Sequence, residues 1–329
     1  MNNINSKAFL VNDLINIQQI PTRNGYGEGL LEAAKKNKNI IALCADLTDS
    51  TKTKLFKDNF PERFIEMGVA EQNMAAIASG LAKEGKIPFI ASYGMFSPGR
   101  NWEQIRTTIC YSNRNVKIIG CHTGVSVGPD GATHQAIEDI AITRVLPNMV
   151  VLAPCDYVEA KKVTIEAAKY IGPVYIRYGR EPTPVITTDN TPFSIGNATI
   201  FKDGKDLSII ACGQVVYYAL LAAEKLEQQG INAQVINCPS IKPLDKKTIL
   251  KAAQNTGAIV TAEEHQKYGG LGSCIIEFIS QSYPVPVQMV GVNDRFGESG
   301  TQEELLKKFN LIDNDIEKAA KRVLELKQG

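Results

Sequence analysis

Glu71 sits where a helix should present apolar residues. In IEMGVAEQNMAAIASGLA (65–82) the apolar positions from Ala70 onward are Met74, Ile77, Ala78 and Leu81, one face of an α-helix, and Glu71 points the same way. An unpaired carboxylate on a buried face costs several kcal/mol, so it needs a partner or a proton. Burial raises a carboxyl pKa, and a carboxyl kept neutral can donate a hydrogen bond at pH 7. A glutamate in the first helical turn, favoured by the helix dipole and without chemistry, fits the same position.

The second cluster is GCHTGVSVGPDGATHQAIED (120–139), which follows the strand-like run VKIIGC. It holds His122 and His134, two of the three histidines, with Asp130 and Thr133 between them. Ligands of open α/β sheets bind at the carboxyl ends of strands, where this loop would lie. Histidine and aspartate there suit hydrogen bonding to sugar hydroxyls and proton transfer. A surface loop with its polar groups satisfied is the plainer alternative. The long spacing between the histidines, with no Cys or Glu joining them, argues against a zinc site. GYGEG (25–29) and YGGLGS (268–273) resemble parts of phosphate loops but lack the spacing of either nucleotide-binding pattern. They are expected to be helix starts and turns.

The elements that must position these residues alternate. Apolar runs at 40–46, 87–92, 116–121, 149–154 and 174–178 read as strands buried on both faces. Helical patterns over 70–83, 101–111 and 157–169 lie between them. EPTPVITTDNTPFSIG (181–196), with three prolines, ends this series and reads as a linker. The alternation restarts with strands at 207–212, 233–238, 258–263 and 285–290 and helices over 214–228 and 245–254. The expected fold is α/β: two consecutive open, mostly parallel sheets flanked by helices. The expected division is an N-terminal arm (1–20), a first domain (21–180), a linker (181–196) and a second domain (197–329).

Composition narrows the function. A net charge of +1 over 329 residues lacks the basic excess of a nucleic-acid binder. No run of about 18 apolar residues is present, and the N-terminus does not read as a signal peptide. Seven scattered cysteines, an odd number without a C-x-x-C, suit reduced thiols in the cytoplasm.

MGVAEQNMAAIASGLA, the aromatics of SYGMFSPGR (92–100) and GPDGATHQ (128–135) together resemble the thiamine-diphosphate enzymes of the transketolase type. ADLTDS (45–50) and GPVYIRYGR (172–180) sit at the expected places, and the resemblance covers roughly residues 20–329. It implies a pyrimidine-binding domain followed by the transketolase C-terminal domain. In this family a buried glutamate hydrogen-bonds a ring nitrogen of the cofactor's aminopyrimidine, the role that Glu71 matches. Phe96 and Tyr93 match aromatics that pack the pyrimidine, and Asp46 an acidic residue near the cofactor. Arg23, Ser50, His122 and Arg180 match the group that holds the substrate phosphate, while Asp130 and His134 match contacts to the donor's hydroxyls. His265, in the second domain, is expected to be a loop histidine.

The departures matter as much. FSPGRNWEQIR is longer than its counterpart in single-chain transketolases, and an aromatic expected after Phe96 is missing. The family binds Mg²⁺ and the diphosphate through a Gly-Asp-Gly segment followed by an asparagine, and no Gly-Asp-Gly occurs here. The resemblance therefore implies the C-terminal half of a split transketolase, with the Mg²⁺ ligands on an N-terminal partner subunit and an α2β2 heterotetramer acting on sugar phosphates. The competing readings are the beta subunit of a 2-oxoacid dehydrogenase, a deoxyxylulose phosphate synthase-like enzyme, and a non-catalytic regulatory subunit.

Overall fold

The computed structural model describes residues 3–328, so Met1, Asn2 and Gly329 of the expected arm and second domain lie outside it. In chain order the first part contains β1 (Gln19–Pro21), α1 (Thr22–Lys36), β2 (Ile40–Cys44), α2 (Lys54–Asn59), β3 (Phe64–Glu66), α3 (Glu71–Lys83) and β4 (Ile87–Tyr93). A short helix, α4 (Trp102–Gln104), continues as a π-helical turn over Ile105–Cys110. Then come β5 (Lys117–Cys121), α5 (Asp139–Arg144), β6 (Val150–Leu152), α6 (Tyr157–Lys169), β7 (Val174–Arg177) and β8 (Pro182–Pro184). The second part contains β9 (Thr199–Lys202), β10 (Leu207–Ala211), α7 (Val215–Glu227), β11 (Ala233–Asn237), β12 (Ser240–Lys242), α8 (Lys246–Thr256) and β13 (Ile259–Gln266). It ends with α9 (Leu271–Ser282), β14 (Val287–Val292), α10 (Gln302–Lys308) and α11 (Asp313–Gln328).

The larger sheet runs β12-β6-β7-β5-β4-β2-β3 and the smaller β14-β13-β10-β11-β9. Only the edge strands β12 and β9 are antiparallel to their neighbours. The expected fold class holds, because the continuous apolar runs place strands between two helical layers. Every residue of β5, for example, is buried.

Three expectations are corrected by packing. GYGEG is not a helix start but the interior of α1. A Cβ on Gly25 would lie 2.3 Å from the Tyr157 carbonyl oxygen, so glycine is what lets α1 close on α6. Residues 181–196 hold no helix, but they do not merely link: β8 pairs antiparallel with β1. The two domains share a sheet edge, because β12 adds to the first sheet beside β6. One apolar cluster joins Ile118, Val151 and Tyr175 of the first sheet to Ile210, Ile236 and Ile259 of the second. The arm packs on the second domain: Ala8 and Leu14 enter its core, and Tyr217 donates to the Leu14 carbonyl. Finally, His265 is not a loop residue. Strand β13 extends through it, and its fully buried ring accepts from the Ala141 N–H (3.3 Å) across the domain boundary.

Candidate active site

The strands deliver the candidate residues to one edge. Asp46 follows β2, Tyr93 ends β4 with Phe96 just beyond, His122 follows β5, and Arg180 follows β7. These four strands are neighbours in the sheet and parallel to one another, so their carboxyl ends form one rim. Arg23 enters from the first turn of α1.

At the centre of the rim is an aromatic stack. The Tyr93 ring lies parallel to that of His122 (3.7 Å between centroids, 25°) and to that of Phe96 (6.0 Å, 17°). His134 meets both rings by its edge, at 6.1 Å from Tyr93 and 5.6 Å from Phe96. Gly94 makes this possible, because a Cβ there would come within 2.7 Å of the Thr123 side chain. Tyr93, expected beside the pyrimidine, therefore has one face covered by His122.

One end of the stack is basic. Arg23 donates to the Ser50 carbonyl (2.8 Å) and to His122 Nε2 (3.3 Å). A guanidinium can only donate, so Nε2 is the acceptor and the ring proton is on Nδ1. The Nδ1 atom of His122 and the Nε of Arg23 are buried and have no hydrogen-bond partner. Burial, then the Arg23, Arg180, His134 and Lys52 charges, push the His122 pKa down to about 3, so the ring is neutral near pH 7. Arg180 donates to the Val127 carbonyl (2.8 Å) and to Asp130 (3.3 Å) in a partly exposed pair. The His134 Nδ1 contacts the Thr133 hydroxyl (2.9 Å).

The other end is acidic. Glu71 opens α3 and is 1% exposed. Of the stripe predicted with it, Met74 and Ala78 are buried, Leu81 is half-buried, and Ile77 turns to solvent at 37% exposure. The partner that a buried carboxylate needs is Arg100, which donates to Glu71 Oε2 at 2.7 Å. The same guanidinium lies over the Phe96 ring, 4.8 Å from its centroid.

Arg23, Ser50, Glu71, Tyr93, Phe96, His122 and His134 are thus joined in one run of contacts, with the Arg180–Asp130 pair bonded to the same loop. Asp46 is not part of it. It is exposed at the end of β2 in a left-handed conformation (φ 57°), with its N–H bonded to Glu66 (2.8 Å).

Several contributors carried no signal in the sequence. Arg100 closes SYGMFSPGR, and no local pattern gives it a role. Glu66 also accepts from Thr48 (2.8 Å) and the Gly68 N–H (3.2 Å), which fixes the approach to Glu71. Gln135, 2% exposed, donates to the Val125 (2.9 Å) and Glu298 (2.8 Å) carbonyls and holds the His134 loop against the second domain. Arg177 bonds Asp139 (2.9 Å) and the Glu264 carbonyl (2.7 Å), fixing the other end of that loop.

Fold and site together define a class: a two-domain α/β chain with a buried carboxylate, an aromatic stack and a cluster of arginines beside a neutral histidine on one rim. Residues 18–185 match the transketolase pyrimidine-binding domain and residues 196–316 the transketolase C-terminal domain. The chain belongs to the transketolase family, whose activity is ketol transfer with thiamine diphosphate. It is 47% identical to a Methanocaldococcus jannaschii protein provisionally described as a transketolase C-terminal section, over 92% of this chain and 95% of that one. It is 41% identical to a 6-deoxy-6-sulfo-D-fructose transketolase subunit of a Clostridium species, over 93% and 95%. Among solved structures it resembles a split-gene transketolase described as an inactive beta4 tetramer, with TM-score 0.88 and 47% identity over 94% of this chain and 99% of that one. It spans about half the length of other transketolases it matches.

The residues present fit the cofactor of the family on its pyrimidine side. A buried carboxylate stands beside a half-buried phenyl face, and a planar N–H donor already satisfies both. Among the described residues no group of three or more His, Cys, Asp or Glu is arranged to hold a metal ion. No described helix is long and apolar enough to cross a membrane.

Proposed function

We propose that this chain is the C-terminal subunit of a split transketolase that moves a two-carbon ketol unit from a ketose phosphate to an aldose phosphate. The observation that carries the reading is the unbroken run of contacts from Glu71 through Arg100, Phe96, His134, Tyr93 and His122 to Arg23. It spans a carboxylate suited to a ring nitrogen and cations suited to a phosphate.

Thiamine diphosphate, when bound, supplies the nucleophilic carbon that takes up the ketol unit. Glu71 would hold the pyrimidine by one hydrogen bond, and Phe96 would pack its face and exclude water. Asp46 is assigned to the cofactor's surroundings by resemblance alone, and Tyr93 acts through His122 and Phe96. His134 would take or give a proton at a donor hydroxyl, with Asp130 as hydrogen-bond acceptor. Arg23, Arg180 and Ser50 would bind the phosphate, with the unpartnered Nδ1–H of His122 as a further donor.

Mg²⁺ and the diphosphate would be bound by an N-terminal partner subunit, since this chain has no Gly-Asp-Gly. A two-fold α2β2 assembly in the cytoplasm completes the reading. Its relatives include a subunit named for a sulfonated fructose, so the sugar is left as a phosphorylated or similarly anionic ketose. The decisive experiment purifies the chain alone and with its partner, then measures thiamine diphosphate binding by calorimetry and ketol transfer by assay. Mg²⁺-dependent binding and turnover only from the pair are expected. Full activity from this chain alone would overturn the split-enzyme reading.

A further inference from the structure

Arg100 occupies an unusual position for a half-exposed arginine. Its side chain is 45% exposed, yet its tip donates to a carboxylate that is 1% exposed. The guanidinium also lies over the Phe96 ring at 4.8 Å. The backbone beneath it is pinned: the Arg100 N–H donates to the Phe96 carbonyl (2.9 Å), and the next residue, the buried Asn101, donates to the Glu71 carbonyl (3.2 Å). The turn is tight, since a Cβ on Gly99 would fall 1.9 Å from the Met95 carbonyl oxygen. The backbone is held in place, and the half-exposed side chain extends from it to Glu71.

A guanidinium and an aminopyrimidine protonated on its ring nitrogen share three properties. Both are planar, both offer an N–H donor in that plane, and both stack by their faces on an aromatic ring. Glu71 and Phe96 are the two surfaces the cofactor reading assigns to the pyrimidine, and Arg100 already satisfies both. We propose that Arg100 stands in for the aminopyrimidine in the cofactor-free chain and competes with the cofactor for Glu71. This inference rests on the cofactor reading above. Without the cofactor Glu71 would be a stranded charge, and Arg100 relieves that cost. When the cofactor arrives, the exposed stem lets the guanidinium swing to solvent, where its own rehydration lowers the cost of displacement.

The test is the affinity of thiamine diphosphate for the assembled enzyme, measured by calorimetry with Mg²⁺, for wild type, Arg100→Met and Arg100→Lys. Removing the competitor should tighten cofactor binding several-fold, up to roughly tenfold for methionine, because a charge-assisted hydrogen bond no longer has to be broken. Lysine keeps a charge for Glu71 but cannot stack flat, so its gain should be smaller. In the isolated chain without cofactor, Arg100→Met should lower the melting temperature, and adding Glu71→Gln should recover most of the loss. Affinity that is unchanged or weaker in both variants, or additive melting effects, would overturn the inference while the cofactor reading stood. A wild-type complex that binds no thiamine diphosphate would overturn the cofactor reading and this inference with it.

Discussion

Two buried histidines, one in the proposed site and one in the scaffold, differ in what they bond. His122, at the rim of the first sheet, is 1% exposed, and His265, on the second, is 0% exposed. His265 has both ring nitrogens engaged, Nε2 by the Ala141 N–H and Nδ1 at the Gln266 carbonyl (2.7 Å). His122 has one nitrogen engaged by Arg23 and one without a partner. The carboxylates repeat the contrast. Glu263 accepts from the Leu271 (2.7 Å) and Gly272 (2.8 Å) N–H groups at the start of α9, while Glu71 relies on one movable side chain. Burial alone does not mark function. A buried polar group left unsatisfied, or satisfied by something mobile, is what a ligand can complete.

The sharpest way to break this comparison is at Glu71. Glu71→Gln should leave the assembled enzyme folded and lower the rate of ketol transfer by roughly 10²–10³, the usual cost of losing one preorganised hydrogen bond to a developing charge. Proton–deuterium exchange at the cofactor's thiazolium carbon should slow in parallel, and unchanged exchange would remove Glu71 from its role.

Next in size is the basic end of the stack. Arg23→Met and Arg180→Met should each lower kcat/KM for a phosphorylated ketose by an amount equivalent to about 1.5–3 kcal/mol. The unphosphorylated donor hydroxypyruvate should lose little. Equal losses on both donors would show that these arginines support the fold rather than read the phosphate.

The histidines themselves should part company. His265→Leu strands an interdomain N–H and should cost about 1–3 kcal/mol of stability, seen in denaturant unfolding. Activity of the folded fraction should be near normal. His122→Asn should do the reverse, weakening phosphorylated donors while moving the unfolding midpoint little. Identical behaviour of the two variants would erase the distinction.

The last test is in pH. The folded His122 ring protonates near pH 3 and the unfolded one near 6.5. Between those values the unfolded chain binds more protons, so this residue's contribution is full above pH 6.5 and is lost as pH falls toward 3. Glu159 works against it. Burial lifts its carboxyl from 4.5 to about 7, so its stabilisation is full below pH 4.5 and fades as pH rises to about 7. The difference between wild type and His122→Asn isolates the contribution of His122. The variant should lose less stability on acidification, and parallel curves would contradict the assigned state of the ring.

The sequence by itself determined the class of the molecule. Apolar runs such as that of β5 can only be strands covered on both faces, and their alternation with helices requires parallel sheets. It also supplied the short motifs, because Glu71 and the 120–139 loop are chemically conspicuous within a few residues of chain. The tertiary structure decided everything that depends on distant partners. Nothing in GYGEG shows that α6 will press against it, nothing in CPSIKP (238–243) shows that β12 will join the other sheet, and the sequence near His265 does not place Ala141 beside it. Arg100 is the clearest instance. It lies 29 residues from Glu71 in sequence, and the reason it completes the site is a distance of 2.7 Å. Local patterns report which groups must be covered, and only the folded chain shows what covers them.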